Sequence, residues 1–159
     1  MASQVTFTSS TGADPIAALD IFIARSSKPS TEAMLYAGQR QITRIRQRTM
    51  QGTDVDGSPF APYSKRYAKY RASRGRNVSP VDLLFTGIMQ TSMTVEARGE
   101  ASFAIVEKDP KAAVYGRAHN NGNSRLPRRR WFDTNTVELG EMTKDLLAFD
   151  TANFTQSVG

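Results

Sequence analysis

The chain has no cysteine and a single histidine, His119, among its 159 residues. The absence of cysteine excludes disulfide bonds, thiol catalysis and thiolate metal sites. A zinc site normally needs several His or Cys ligands, and a catalytic triad needs a serine and an acid matched to its histidine. We therefore predict that His119 and the segment 118–122 around it are structural and hold no metal.

The short motifs of common catalytic and nucleotide sites are also missing. Neither the GxxxxGK nor the GxGxxG arrangement of glycines occurs, so no phosphate-binding loop is predicted. Ser64 and Ser92 lie outside any GxSxG nucleophile motif. These absences predict a protein that is not an enzyme and that uses no cofactor.

No apolar run approaches the length of a membrane-spanning helix, and the N-terminus lacks the basic and apolar regions of a signal peptide. We expect no membrane contact. The chain length and the 39% of hydrophobic residues fit one domain with a modest core. That domain is predicted to span residues 14–150, between a flexible N-terminal segment (1–13) and a flexible C-terminal tail (151–159).

The net charge of +6 is unevenly distributed along the sequence. Residues 40–76 contain only Asp54 and Asp56 as acids, against a series of cations: Arg40, Arg44, Arg46, Arg48, Lys65, Arg66, Lys69, Arg71, Arg74 and Arg76. From residue 133 to residue 150 the sign reverses, with Asp133, Glu138, Glu141, Asp145 and Asp150 against Lys144. A basic middle and an acidic end suit either nucleic acid or a charge-complementary subunit contact, and composition leaves both open.

Apolar spacing predicts the first two helices. Asp14 and Pro15 open a short one over residues 16–25. A longer one is predicted over residues 31–50, with an inward stripe of Leu35, Gly38, Ile42, Ile45 and Thr49. Arg40, Arg44 and Arg48 are four residues apart and are predicted to form a cationic ridge on the opposite, outer face of that helix.

Further elements follow the Gly- and Pro-rich turn at residues 52–62. Residues 63–73 predict a basic helix with three tyrosines on one side, and residues 82–93 an apolar helix weakened by Gly87. Alternation over residues 93–97 and around 103–105 predicts a β-hairpin that ends at Asp109 and Pro110. Residues 113–122 lead into a loop. A last helix begins near Asn135, where Asn135 and Glu138 resemble a capping box, and its predicted buried stripe is Leu139, Met142, Leu146 and Phe149.

Two further features of the residues have competing interpretations. The Asp54 to Gly57 segment suggests a calcium loop, but Pro59 and Lys65 occupy the positions that require Gly and Glu, which favours an acidic turn. The basic helix with its tyrosines and the Arg128–Arg130 run suit phosphate contact with base stacking. They also suit a partner contact, or a solvated face on which basic side chains cover tyrosine rings.

Three segments together resemble the phage virion morphogenesis family, the tail completion and neck proteins of long-tailed phages. They are GTDVDGSPFAPYS (52–64) after an Arg-rich helix, DLLFTGIMQTSM (82–93), and AHNNG (118–122) followed by LPRRRWF (126–132). In this family a leucine, Thr-Gly, hydrophobic, Ser pattern precedes a hairpin, and a Pro-x-Arg-x-Phe stretch precedes the last helix. The resemblance covers residues 33–149.

The resemblance implies an α+β fold, with several helices packed on a small antiparallel β-sheet in a single domain. It implies a non-enzymatic virion protein, assembled in the bacterial host cytoplasm, that forms a ring at the head–tail junction, joins tail to head and surrounds the DNA channel. The expected partners are further copies in a six- or twelve-fold ring, the portal or connector and tail-tube proteins, and DNA passing without sequence specificity. The alternative is a small basic nucleic-acid-binding protein.

Eight residues are predicted to form the subunit or partner interface. Trp131 and Phe132 are expected to anchor their loop by burial, while arginines beside them and on the first long helix face an acidic subunit surface. The predicted set is Arg40, Arg44, Arg48, Arg128, Arg129, Arg130, Trp131 and Phe132.

Overall fold

The computed structural model describes residues 6–9, 29–99 and 102–157. Within them the chain forms one α+β domain, in which helices pack against a small sheet, as the sequence predicts. The elements in chain order are β1 (Thr6–Ser9), α1 (Thr31–Met50), α2 (Lys65–Ser73), α3 (Ile88–Thr91), β2 (Met93–Ala97), β3 (Ser102–Glu107), α4 (Pro110–Asn121) and α5 (Thr136–Ser157).

Helix α1 is the central element of the domain. Ser30 caps it, since its Oγ accepts a hydrogen bond from the amide of Ala33 at 3.0 Å. One side of α1 packs against the sheet and another against α5. Its buried apolar residues are Ala33, Met34, Ala37, Ile42 and Ile45. The predicted stripe was wrong at Leu35, which is exposed, because the buried face lies nearer Met34.

Strands β2 and β3 form the predicted antiparallel hairpin, with Val95 opposite Ile105. Strand β1 pairs in parallel with the other edge of β3, with Phe7 opposite Phe103. It lies within the segment 1–13 that was predicted to be flexible; the rest of that segment and the helix predicted over residues 16–25 lie outside the described residues.

Gly38 allows α1 to lie close to the sheet. A Cβ at this position would come 2.6 Å from Val95 Cγ1 and 2.9 Å from a Phe103 ring carbon. We expect Gly38→Ala to lower the free energy of unfolding by about 1–3 kcal/mol, because α1 must move away from a packed sheet. Urea denaturation checks this. Gly140→Ala on α5 is the control, since nothing lies within 4 Å of the place its methyl group would take and the change should stabilise by roughly 0.5–1 kcal/mol.

The C-terminal helix begins as predicted, with the amide of Glu138 donating to Asn135 Oδ1 at 2.8 Å. Leu139, Met142 and Leu146 are buried, and Phe149 packs against the same core. Helix α5 continues to Ser157, so most of the expected tail from residue 151 is helical.

Two other predictions need correction. The helix predicted over residues 82–93 is reduced to the single turn of α3, because Asp82 binds the backbone of its own loop and Gly87 takes a positive φ. Helix α4 occupies residues that were expected to lead into a loop. Asp109 caps it by accepting from the amides of Lys111 and Ala112, and Pro110 occupies its first turn.

Candidate functional site

The first and third segments of the family resemblance are bonded to each other. The amide of Val55 donates to the carbonyl of Arg130 at 3.1 Å. The buried guanidinium of Arg129 donates to the carbonyls of Ala61 and Pro62 at 2.8 and 3.0 Å. Through these hydrogen bonds Arg129 links the turn after α1 to the chain before α5.

Tyr63 joins the first segment to the second. Its hydroxyl donates to Asp82 Oδ1 at 3.3 Å and accepts from the amide of Leu83 at 3.1 Å. Its ring lies between two guanidinium groups, 4.5 Å from that of Arg71 and 5.4 Å from that of Arg129. Burial raises the pKa of the Tyr63 hydroxyl to about 12, against the opposing effect of Arg71, so the hydroxyl stays protonated as a donor.

Arg71 is the buried cation beneath this tyrosine. It is 1% exposed, and its Nη2 lies 2.8 Å from Asp82 Oδ1. The same guanidinium donates to the carbonyls of Asn77 and Leu84 at 2.7 and 3.0 Å. The pair therefore holds both ends of the loop between α2 and α3.

His119 and Asn120 connect the third segment internally. The amide of Arg129 donates to the carbonyl of His119 at 2.7 Å, and the amide of Phe132 donates to Asn120 Oδ1 at 3.1 Å. Burial and, to a smaller extent, the charge of Arg129 together lower the pKa of His119 to about 4, so the ring is neutral at physiological pH. The backbone carbonyl of His119 and the side chain of Asn120 thus hold the chain before α5 against α4.

The acidic turn that begins at Asp54 is stabilised by the side chain of its own first residue. Asp54 Oδ1 accepts from the amides of Asp56 and Ser58 at 2.9 and 2.8 Å. In residues 6–9, 29–99 and 102–157 no three His, Asp or Glu side chains are grouped so as to hold a metal ion.

Helix α5 covers most of the predicted cationic ridge of α1. Arg44 is bonded to Asp145, and Arg48 is buried with its Nε 3.2 Å from Glu138 Oε1. Arg40 remains mostly exposed, with its Nε 3.6 Å from Asp145. The prediction was wrong for Arg44 and Arg48 because the acidic face of α5 covers them.

In the second predicted group, Arg128 to Arg130, two of the three arginines are buried or paired with acids of the same chain. Arg129 is buried, and Arg130 pairs with Asp56 at 2.6 Å and with Asp133 at 2.7 Å, leaving Arg128 exposed. Trp131 and Phe132 are 0% and 2% exposed, which confirms that they anchor the loop by burial. They are therefore core residues rather than part of an accessible interface.

A group of exposed cations without an ion pair lies on α2 and the loop after it. We define the α2 surface by its exposed cations and its aromatic row: Lys65, Arg66, Lys69, Arg74, Arg76, Tyr67, Tyr70 and Phe85. No carboxylate of the described chain pairs with any of these cations. The rings of Tyr67 and Tyr70 stack at 6.1 Å, and those of Tyr70 and Phe85 at 5.6 Å. Of the cations, Arg74 and Arg76 lie at this aromatic row, with their guanidinium groups 5.5 Å from the Tyr70 ring centre and 5.9 Å from the Phe85 ring centre.

A cleft of about 300 Å³ opens beside this row, between α2, α3 and α4. Leu83, Ile88 and Met89 contribute apolar surface, while the neutral His119 and Tyr115 stand on the α4 side. We call it the α2–α4 cleft. Arg71 and the rings of Tyr63 and Tyr67 also line it, so the cleft combines apolar, aromatic and polar surface.

No family model, curated protein or solved structure matches this chain. The family resemblance therefore depends on the three sequence segments alone. No helix in the described ranges has the length and apolar character needed to cross a membrane.

The pairing of Arg71 with Asp82 beside the cleft was not predicted from the sequence. The signal was present in the spacing, because Arg71 continues the four-residue interval of Tyr63 and Tyr67 and so lies on the tyrosine side of α2. Its partner Asp82 lies in a loop, where no periodicity predicts a contact.

Proposed function

We propose that this protein is a structural component of a bacteriophage particle, a tail completion or neck subunit that joins tail to head and surrounds the DNA channel. The observation that carries the proposal is the meeting of the three resembling segments around Tyr63 and Arg129. The three segments are far apart in the sequence but are joined by hydrogen bonds in the folded domain. This supports the interpretation that they occur together because each is needed to hold the others in place.

The chemistry of that unit also supports a scaffolding role. Tyr63 is a protonated donor, and Arg71 and Arg129 are bonded to carbonyls or to Asp82. These groups are committed to holding loops in place. The α+β architecture agrees with what the resemblance implies.

The assembled state that we propose is a six- or twelve-fold homo-oligomeric ring in the virion, in contact with portal or connector and tail-tube proteins, with DNA passing without sequence specificity. The acidic residues 133–150 lend this ring little support, because Asp133, Glu138 and Asp145 pair with arginines of the same chain. The ring is thus proposed from the family resemblance, with closed symmetry as the usual form of such assemblies.

The test is the composition of purified phage particles from the genome that encodes this chain. We expect quantitative mass spectrometry to find the protein in mature particles at a ring-like copy number relative to the portal. Deleting its gene should leave filled heads and tails unjoined in electron micrographs, and expression from a plasmid should restore joined particles. A protein abundant in the lysate but absent from purified particles would refute the proposal.

The alternative function, a small basic nucleic-acid-binding protein, is favoured by the free cations of the α2 surface. It predicts that the protein co-purifies with DNA in the infected cell, is absent from particles, and can be deleted without loss of head–tail joining.

A further inference from the structure

The wall of the α2–α4 cleft contains a buried cation with a free donor. Arg71 lines the cleft and is 1% exposed. Its Nε and Nη2 donate to Asn77, Asp82 and Leu84, whereas no described residue accepts from its Nη1. This nitrogen is not one of the enclosed polar atoms that lack a partner, so it reaches accessible space. Because Arg71 is otherwise enclosed, the N–H groups of Nη1 are available to a molecule in the cleft.

His119 provides a second donor on the α4 side of the cleft. Its Nδ1 lies 3.4 Å from Nη1 of Arg129. A guanidinium can only donate, so Nδ1 is the accepting nitrogen and the proton of the neutral ring is on Nε2. In the described chain nothing accepts from Nε2, and this atom is not enclosed without a partner either. The acceptor for this N–H group therefore comes from outside the described chain.

The charges around the cleft favour an anion. Arg129 is 2% exposed, and no carboxylate of the described chain forms an ion pair with it. Its guanidinium lies directly behind the lining, 5.4 Å from the Tyr63 ring centre and in contact with His119. The other buried cation, Arg71, has Asp82 as its carboxylate partner, and the lining itself contains no Asp or Glu from the described chain. An anion in the cleft is therefore attracted by a positive charge that the described chain leaves uncompensated.

The rest of the lining is suited to an apolar group. Leu83, Ile88 and Met89 contribute aliphatic surface, and the Tyr67 ring centre lies 5.9 Å from the guanidinium carbon of Arg71. A free inorganic anion would lose its hydration against this surface without compensation. The volume of about 300 Å³ accommodates a small organic molecule. The lining thus fits a ligand that has both an anionic group and an apolar body.

We propose that the α2–α4 cleft binds a small organic acid in which one carboxylate is joined to an apolar body. The carboxylate accepts hydrogen bonds from Nη1 of Arg71 and Nε2 of His119, and such charge-assisted bonds are strong. The apolar body lies against Leu83, Ile88 and Met89. This inference goes beyond the proposed function and does not rest on it: loss of ligand binding would not remove the protein from particles, and absence from particles would not change the binding.

The carboxylate is tested by NMR titration of the full, untagged chain with phenylacetate and with its neutral counterpart phenylacetamide. We expect phenylacetate to bind saturably with a Kd of about 1 mM or tighter, and phenylacetamide about tenfold more weakly, because the amide carries no charge. Equal affinity for the two compounds, or no saturation by phenylacetate up to about 20 mM, would overturn the proposal.

The apolar body is tested with acetate and inorganic phosphate. Both should bind more than about tenfold more weakly than phenylacetate, because neither covers the aliphatic surface of the cleft. If either binds as tightly as phenylacetate, the cleft attracts anions without recognising an organic acid, and the proposal is wrong.

The proton of His119 is observed directly, since this is the only histidine in the sequence. A proton–nitrogen correlation spectrum of its side chain distinguishes the two neutral tautomers. We expect the proton on Nε2 in the free protein, and we expect its signal to move when phenylacetate is added. A proton on Nδ1 would remove this donor from the cleft and contradict the assignment.

Variants of α4 locate the binding. His119→Phe keeps a ring but removes the N–H group, so it should bind phenylacetate about tenfold more weakly and lose most of the preference over phenylacetamide. Tyr115→Ala removes an exposed ring that lines the cleft and should weaken both compounds. Val114→Ala is the matched control, since this exposed neighbour does not line the cleft. Emission from the buried Trp131 checks that each variant is folded. A His119→Phe protein that keeps the wild-type preference for the acid would refute the proposed site.

Discussion

Replacing Arg71 by methionine should lower the free energy of unfolding by about 3–5 kcal/mol, which is the usual cost of leaving one member of a buried ion pair unpaired. The variant loses the 2.8 Å contact with Asp82 and two hydrogen bonds to the loop carbonyls of Asn77 and Leu84. Urea denaturation followed by circular dichroism measures the change.

A second substitution distinguishes the loss of charge pairing from the loss of packing. Adding Asp82→Asn to Arg71→Met removes the unpaired carboxylate, while the amide oxygen can still accept from Tyr63 and Leu84. The double variant should therefore be more stable than Arg71→Met alone. Arg74→Met, an exposed change at the end of the same helix, should stay within about 0.5 kcal/mol of the wild type. If Arg71→Met is as stable as Arg74→Met, the buried pair does not hold the loop.

Glu107→Gln should stabilise the protein at alkaline pH. Both carboxyl oxygens of Glu107 are enclosed without a hydrogen-bond partner. A Cβ on Gly116 would lie 2.5 Å from Oε2 of Glu107 and 2.9 Å from Cζ2 of Trp131, so the carboxyl and the indole meet over this glycine. Burial raises the pKa of Glu107 to about 8, Asp109 adds to this effect, and Arg117 opposes it.

The pH dependence follows from the direction of two shifts. The folded state holds the Glu107 proton that the unfolded state releases above about 4.5, so this contribution to stability is lost as pH rises from there through about 8. His119 acts oppositely: its folded pKa of about 4 lies below the unfolded value of 6.5, so its contribution is lost as pH falls between them. Of these two groups only Glu107 changes its protonation between about pH 6.5 and 8, so its contribution predicts that stability falls there.

Thermal melts of the wild type and Glu107→Gln across this range provide the measurement. The melting temperature of the wild type should fall from about pH 6.5 to about pH 8, whereas that of the variant should stay nearly constant, because glutamine does not titrate. Glu32→Gln, at an exposed glutamate, should follow the wild type. A variant that loses melting temperature as steeply as the wild type would show that another group is responsible.

The parts of the fold that the sequence predicts are those with a strong local period or cap. Helix α1 has its apolar spacing and Ser30, the β2–β3 hairpin has its alternation, and α5 has Asn135. Helix α4 was missed because Asp109 and Pro110 were interpreted as the end of a hairpin. The same pair is an N-cap followed by proline in the first turn of a helix.

The arginine predictions failed for a different reason. The four-residue spacing correctly placed Arg40, Arg44 and Arg48 on one face of α1. Spacing does not predict which other element of the fold packs against that face. Helix α5 brings Asp145 and Glu138 against that face, nearly a hundred residues later in the chain. The candidate site was hidden in the same way, since Arg71 meets Asp82 through a loop whose path depends on the completed core.

Trp131 gives the protein an intrinsic optical probe. It is the only tryptophan in the sequence and is fully buried, with its indole nitrogen donating to the carbonyl of Gly116 at 3.0 Å. Its emission should shift to longer wavelength when water reaches the ring, so unfolding can be followed without a label. Because Trp131 belongs to the buried core cluster, this signal reports the state of the core.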